Sequence, residues 1–350
     1  MHMADALLAP AVAATMYVAS GTAAGVSIHQ LKKDDEAKKL PVMAVSAALV
    51  FAGQMINYTI PGTGSSGHMC GGMLLSALLG PQAGFLSMIV ILAIQCLFFA
   101  DGGLMALGAN VWNMAFYGCF VGYYLIWRPI MHSSWFGAGK KAQRARIVAA
   151  SILGCVVTLQ LGAFSVVLET SLSGITELPF GAFVALMQPI HLAIGLIEGL
   201  ITSAVLLFVY ESRPELLQEV TPEDGADAKR SLKATIAILA IVALVVGGGL
   251  SLLASSNPDG LEWALFGNAE EGYAENMGLD EDDFGVSSTA AEKAGAIQEK
   301  TSFLPDYAFA DSESPAGTSV SGIVGCAMVA GVAVLICLAG GFFRRKKAKT

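Results

Sequence analysis

Residues 234–254 read ATIAILAIVALVVGGGLSLLA, and the run contains no charged residue. A helix on the surface of a soluble protein keeps a polar face at the 3.6-residue period. This stretch has none, and it is long enough for the roughly 20 apolar residues that a bilayer core demands. The same character recurs outward along the chain, over 9–28, 41–60, 84–101, 105–127, 147–169, 181–210 and 319–343, with a shorter apolar stretch at 69–80. Of the 350 residues 55% are hydrophobic and only 14% charged, against about 25% charged in soluble domains. The pattern predicts an all-α polytopic membrane protein and excludes a soluble helical bundle. The short third stretch is expected to be a tilted or half-buried helix beside the glycine-rich loop 62–67.

Charge placement sets the expected topology. All but two of the 20 basic residues fall in four clusters: Lys32, Lys33, Lys38 and Lys39; Arg128, Lys140, Lys141, Arg144 and Arg146; Arg213, Lys229, Arg230 and Lys233; and Arg344, Arg345, Lys346, Lys347 and Lys349. Nine spans put all four clusters on one side, which the positive-inside rule makes the cytoplasm. The expected site is the inner (plasma) membrane, with the N-terminus outside and the C-terminus in the cytoplasm. The third stretch must then count as a crossing. The chain divides into 1–212 with seven helices, a charged cytoplasmic linker over 213–233, and a second unit over 234–350. That unit has two helices and an acidic external segment, 255–318. Composition favours a weakly ordered solvated segment there, with cation attraction as the alternative. No nucleic-acid partner is expected.

The six cysteines, Cys70, Cys96, Cys119, Cys155, Cys326 and Cys337, all lie in apolar stretches without a C-x-x-C. They read as buried small hydrophobes rather than a disulfide framework or a zinc site. GAGKKA at 137–142 lacks the first glycine and the hydroxyl residue of a phosphate-binding P-loop. No ATPase is visible, and no H-E-x-x-H or mid-span aspartate pair suggests an enzyme, so no catalytic residue is expected.

The histidines carry more. His29 and His132 fall in basic loops, whereas His2 and His68 fall on the outer side. A chain beginning Met-His offers three nitrogens from adjacent atoms: the Met1 amine, the His2 amide and the His2 imidazole. These form fused chelate rings, and a nitrogen from His68, in PGTGSSGHMCGG, would complete a four-coordinate plane of the kind that suits Ni(II) or Cu(II). The amine must be free for this, and no basic n-region or cleavage site precedes the first span. By itself a Met-His start is common. Gln95, Asn110 and Asn113 lie in or beside spans, where unpaired amides are costly. They are expected either to orient His2 and His68 or to bond helix to helix. His191 and Glu198 share a helix face two turns apart; they read as a structural polar contact or, less readily, as a relay. Gly21 and Gly25 form a G-x-x-x-G in the first span. The 14 methionines read as core filler.

MHMADALLAP, GTGSSGHMCGG, the Q-x-x-x-F-x-x-G-G-x-x-x-L-G-A-N run from Gln95 to Asn110 and PIHLAIGLIEGLIT at 189–202 together resemble the CbiM/NikM family. These are substrate-specific components of energy-coupling factor transporters for cobalt or nickel. NPDGLEWA at 257–264 resembles the PDGLE signature of the small CbiN/NikN partner, here fused behind. The resemblance implies seven helices in the first unit, an external N-terminus, and a metal held by Met1, His2 and His68. It also implies a separate transmembrane coupling protein and separate ATPase subunits, with no cofactor beyond the transported Ni(II) or Co(II). The family start commonly reads Met-His-Ile-Met-Glu-Gly-Phe-Leu-Pro. Here Met3, Ala4, Asp5, Ala6 and Leu7 follow instead, so the ligands survive while the packing of the N-terminal segment is expected to differ. An ATP-independent secondary transporter and a non-transporting scaffold are the other readings.

Overall fold

The computed structural model describes residues 1–31, 40–175, 177–220, 230–269, 271–273, 276–279, 284–309 and 314–347, without the side chains of residue 40 and of 336–347. The first basic cluster, Lys229, Lys349, the 280–283 part of the acidic run and the side chains of Cys337 and 344–347 lie outside this description.

Apolar runs and their breakers set the helices. They are α1 (Pro10–Leu31), α2 (Leu40–Gln54), α3 (Gly72–Leu79), α4 (Pro81–Phe99), α5 (107–131), α6 (Lys140–Leu172), α7 (Phe180–Ser212), α8 (Leu232–Gly248), α9 (Gly260–Phe266), α10 (Thr289–Thr301) and α11 (Ala316–Lys347). Within α5, Val111–Trp127 is wound with wider π-type pairing. Proline opens α1 and α4, where its missing N–H costs nothing. The 234–254 run departs from the expected span: its helix stops at Gly248, and Leu250–Leu253 turn as a 3-10 helix. The glycines 247–249 supply no side chain to hold another α-turn. Helix α2 likewise ends at Gln54, six residues before the expected boundary, because Tyr58–Ile60 (β1) pairs antiparallel with Ser65–Gly67 (β2).

Among the described residues, α1, α4, α6, α7 and Ala316–Leu335 of α11 are long and apolar enough to cross a membrane. The stretch expected to be the third crossing is built differently. Helix α3 has eight residues, about 12 Å, and every one of them is buried. Irregular backbone over 68–71, with Gly71 left-handed (φ +83°), makes up the rest. Its polar groups are satisfied inside the protein, as they must be at that depth. Glu198 on α7 accepts from Cys70 N (2.8 Å) and Gly71 N (2.9 Å), and Gln54 on α2 donates to the Cys70 carbonyl (2.7 Å). Close backbone approach fixes α3 against α5: a Cβ on Gly118 would lie 2.9 Å from the Gly72 Cα.

At the end reached by α3, Gln218 donates to the carbonyls of Ala77 (2.8 Å) and Leu78 (3.1 Å). Basic residues of the 128–146 and 213–230 clusters gather at this end. Arg144 pairs with Glu211, Arg213 with Glu215, and Arg146 caps the Ser133 and Gly137 carbonyls. Residues 1–9 and the hairpin lie at the opposite end.

Helices α8 and α11 pack on α2, with Gly247 and Gly322 backbone to backbone and Cys326 donating to the Ala48 carbonyl. The segment between them is not the solvated loop that composition favoured. Ser66 N donates to Pro258 O (2.8 Å), Ser255 N to Asn57 O (2.7 Å), and Trp263 Nε1 to Thr63 O (2.8 Å). Leu261, Ala264 and Leu265 are buried against the first unit. A few apolar anchors thus outweigh the high mean charge.

Candidate metal centre

The N-terminal segment lies in a cradle made by 95–110. Asn110 clamps Met3 from both sides: Met3 N donates to Asn110 Oδ1 (2.7 Å), and Asn110 Nδ2 donates to Met3 O (3.2 Å). Gly103 N also donates to Met3 O (2.9 Å), and Ala106 N donates to Asp5 Oδ1 (2.9 Å). Glycine is required at 102 and 103. Gly102 has φ +78°, and a side chain there would press on Asn110 and His2, while one on Gly103 would collide with Asp5. Met3 is fully buried, and Asn113 Nδ2 lies 3.5 Å from its sulfur. The second bond from Asn113 goes to Glu169 (2.8 Å).

This cradle brings the first two residues against the glycine loop. The His2 and His68 rings stack with centroids 5.2 Å apart and planes 24° apart. The Met1 amine donates to Asp259 Oδ2 (2.9 Å), and the same oxygen lies 3.8 Å from His68 Nε2. His68 Nδ1 lies 3.1 Å from the Met69 carbonyl. His2 Nδ1 lies 3.1 Å from Asp101 Oδ1, and Tyr307 donates to Asp101 Oδ2 (2.5 Å). Gln95 in turn donates to the Tyr307 hydroxyl (3.1 Å). Asp306 and Tyr307 adopt left-handed backbone (φ 48° and 59°), uncommon for residues with a Cβ, and so bring that hydroxyl to Asp101.

Burial and charge act together on these groups. Burial disfavours a charge on the Met1 amine, but Asp259 outweighs it and raises the amine above its usual range. Burial pushes His2 down to about 4 against the pull of Asp101, leaving a neutral imidazole with a free lone pair. Burial would raise Asp259, but the amine and His68 hold it well below the usual carboxylate range.

Asp259 belongs to the PDGLE stretch, where it caps α9. Its Oδ1 accepts from Leu261 N (2.7 Å) and Glu262 N (3.0 Å), and Glu262 reaches back to Asp259 N (3.1 Å). This capping box leaves Oδ2 for the amine. Behind it, Met1, His68, Cys70, His191 and Asp259 line a cavity of about 10 Å³, room for roughly one water. Two buried imidazole nitrogens lack a partner: His191 Nε2, on a residue that lines this cavity, and His2 Nε2, on the ring stacked against His68. Buried polar atoms are rarely orphaned, and unpaired imidazole nitrogens beside an amine fit a borderline divalent metal as cargo.

Met1, His2 and His68, far apart in sequence, therefore meet. Asn110 and Asn113 bear on Met3, and Gln95 reaches His2 through Tyr307 and Asp101. None of the three amides bonds His68. His191 and Glu198 are not bonded to each other: His191 Nδ1 faces the Met187 carbonyl (2.8 Å), and Glu198 holds the loop. The sequence reading missed Asp101, Asp259, His191 and Tyr307 as neighbours of the site. Asp101 could have been suspected from the Gly-Gly that follows it. Tyr307 carried no signal.

A polytopic helical bundle with a nitrogen-rich pocket buried at one end is the architecture of a membrane transport subunit. Comparison with known proteins makes the class specific. The family model described as cobalt uptake substrate-specific transmembrane region matches residues 2–216, and the PDGLE domain matches 233–340. A relative from Archaeoglobus fulgidus is 34% identical over the whole of both chains. The fused nickel transport protein NikMN of Rhodobacter capsulatus is 30% identical, over 94% of this chain and 95% of its own. A crystal structure of a truncated transition metal transporter superposes with a TM-score of 0.51 at 32% identity, covering 60% of this chain and 98% of that one. The chain belongs to the CbiM family, with a PDGLE domain fused behind it. It is a metal-transport protein and not an enzyme.

Proposed function

We propose that this chain is the substrate-capture subunit of an ATP-driven importer of the energy-coupling factor type, with Ni(II) or Co(II) as cargo. The metal binds at the outer face through the Met1 amine, His2 and His68. The observation that carries this is that the Met1 amine and His68 line one buried pocket while the His2 ring stacks on His68. The fused chelate uses His2 Nδ1, which faces Asp101 in this arrangement. A half-turn of the ring about its Cβ–Cγ bond frees Nδ1 and carries Nε2 to the Asp101 side. Asp101 then accepts from Nε2–H, the carboxylate–histidine–metal arrangement that fixes a ligand's tautomer.

Energy and movement come from partners: a transmembrane coupling protein and ATPase subunits, working on the side where the basic clusters gather. Gly21 and Gly25 suit the coupling contact, because a Cβ at either would meet nothing within 4 Å and small-residue faces admit a second helix closely. A secondary transporter would need a carboxylate relay across the bundle. Glu198 is committed to Cys70 and Gly71, and Glu169 to Asn113 and Ser165, which weighs against it.

The test is elemental analysis of the purified chain after loading with equimolar Ni²⁺, Co²⁺, Cu²⁺ and Zn²⁺. One equivalent of nickel or cobalt is expected. It should be lost in His2→Ala and in a chain extended by one residue ahead of Met1. Metal retained in both variants would overturn the site, and no bound metal at all would favour a scaffold.

A further inference from the structure

Beside the metal pocket lies a larger chamber of about 400 Å³, roofed by the segment between α8 and α11. Among the described residues, its lining carries five carboxylates, Asp5, Asp101, Asp259, Glu262 and Asp306, and no lysine or arginine. Three of them come from the PDGLE unit, so only the fused chain completes it. Several are already engaged: Asp5 with Ala106 N, Asp101 with His2 and Tyr307, and Asp259 with the Met1 amine and its own cap. Glu262 and Asp306 are the members nearest to uncompensated. The charge of Asp259, then burial, pushes Glu262 up to about 7, and burial, then Asp101, raises Asp306. Anions are crowded here beyond what the protein itself neutralises.

An acidic cluster alone need not be a site. A second feature points to a ligand. His2, only 8% exposed, lines the chamber, and its Nε2 is buried without a partner. Asp259 lines both the chamber and the inner cavity. The acidic chamber and the cavity lined by the Met1 amine and His68 thus share one carboxylate.

We propose that this chamber is an outer capture site for a hydrated divalent cation, and that Asp259 joins it to the inner site. The inference rests on the importer reading above and adds to it the route of entry. Size supports a hydrated ion. At roughly 10–15 Å³ of cavity per water, six waters need about 60–90 Å³, which the chamber exceeds and the inner cavity does not approach. Chemistry supports the order of events. Carboxylate oxygens suit hydrated dications and discriminate little among them, whereas amine and imidazole nitrogens favour the later transition metals. The ion is gathered on oxygen, then sheds water and passes to nitrogen as Asp259 releases the amine.

The experiment uses the full chain in nanodiscs of uncharged lipid. Mn²⁺, which oxygen ligands suit, reports the chamber by electron paramagnetic resonance; stopped-flow absorbance reports nickel arrival at the inner site. Two variants are compared with the parent. Glu262→Gln with Asp306→Asn removes charge while keeping the cap. Gly295→Lys adds a cation from α10, at a position where a Cβ has open space. Both variants should weaken Mn²⁺ binding and slow nickel arrival at low salt, each about tenfold, with one His2-dependent nickel still bound at equilibrium. Unchanged Mn²⁺ affinity and unchanged nickel rates in both variants would overturn the chamber. Nickel bound without need of His2 would instead overturn the inner site.

Discussion

Asn110 shows how a single side chain can set a binding site it does not enter. Its amide matches one donor and one acceptor of Met3, and that pairing fixes where Met1 and His2 lie. Asn110→Ala leaves both groups buried and unpaired, at about 1–3 kcal/mol each. The expected result is faster amide exchange over residues 3–6 and metal affinity lower by about 10–100-fold, with His2 and His68 still present. Titration with nickel followed by exchange mass spectrometry checks this; unchanged affinity would mean the segment finds its place without the clamp. Glu198 acts the same way on the loop. Glu198→Ala strands the Cys70 and Gly71 N–H groups, so His68 should lose its fixed position and the metal its affinity.

At the scale of elements, the 68–79 stretch places His68 in the proposed site because it is only half a helix. A full helix would spend the 68–71 backbone on itself and turn His68 away from the amine. The irregular half exists because Glu198 and Gln54 take polar groups of its backbone, and the helical half because α3 has backbone contact with α5 at Gly72 and Gly118. Gly118→Ala should wedge these helices apart at about 1–3 kcal/mol. For a unit of this size that is a fall of roughly 2–4 °C per kcal/mol in thermal midpoint, readable by scanning calorimetry of the solubilised chain. An unchanged midpoint would show that the pair relaxes freely.

For the whole molecule, fusion matters because the two units complete one site. The hairpin hydrogen-bonds 255–268, Val286 N donates to Ala6 O, and Gln298 donates to the Gly102 carbonyl (2.7 Å). The PDGLE unit therefore touches the hairpin, the N-terminal segment and the cradle together. Replacing 255–318 with a neutral linker should raise amide exchange over 58–67 and over residues 1–6, and slow metal uptake in vesicles. Uptake at the parent rate would remove any role for the roof.

Some of this was legible in the residues alone. Lipid solubility is a property of composition within one helix, so 234–254 and its counterparts declared the membrane class, and five of the nine expected spans are long, apolar helices among the described residues. The basic clusters, being local, foretold which described loops share an end. Met-His followed by a glycine-flanked His68 was enough to propose nitrogen ligands, because a chelate of adjacent atoms is covalent and needs no fold. What the sequence could not set was the partnership between distant residues. Asp259 reads as a helix cap in its own stretch, and only docking puts its second oxygen on the Met1 amine. Glu198 reads as a costly intramembrane charge, and only the path of 68–71 gives it two donors. Tyr307 lies 206 residues from the Asp101 it bonds. Such contacts depend on how helices pack, which is the sum of many weak apolar terms, and no local pattern of residues records that sum.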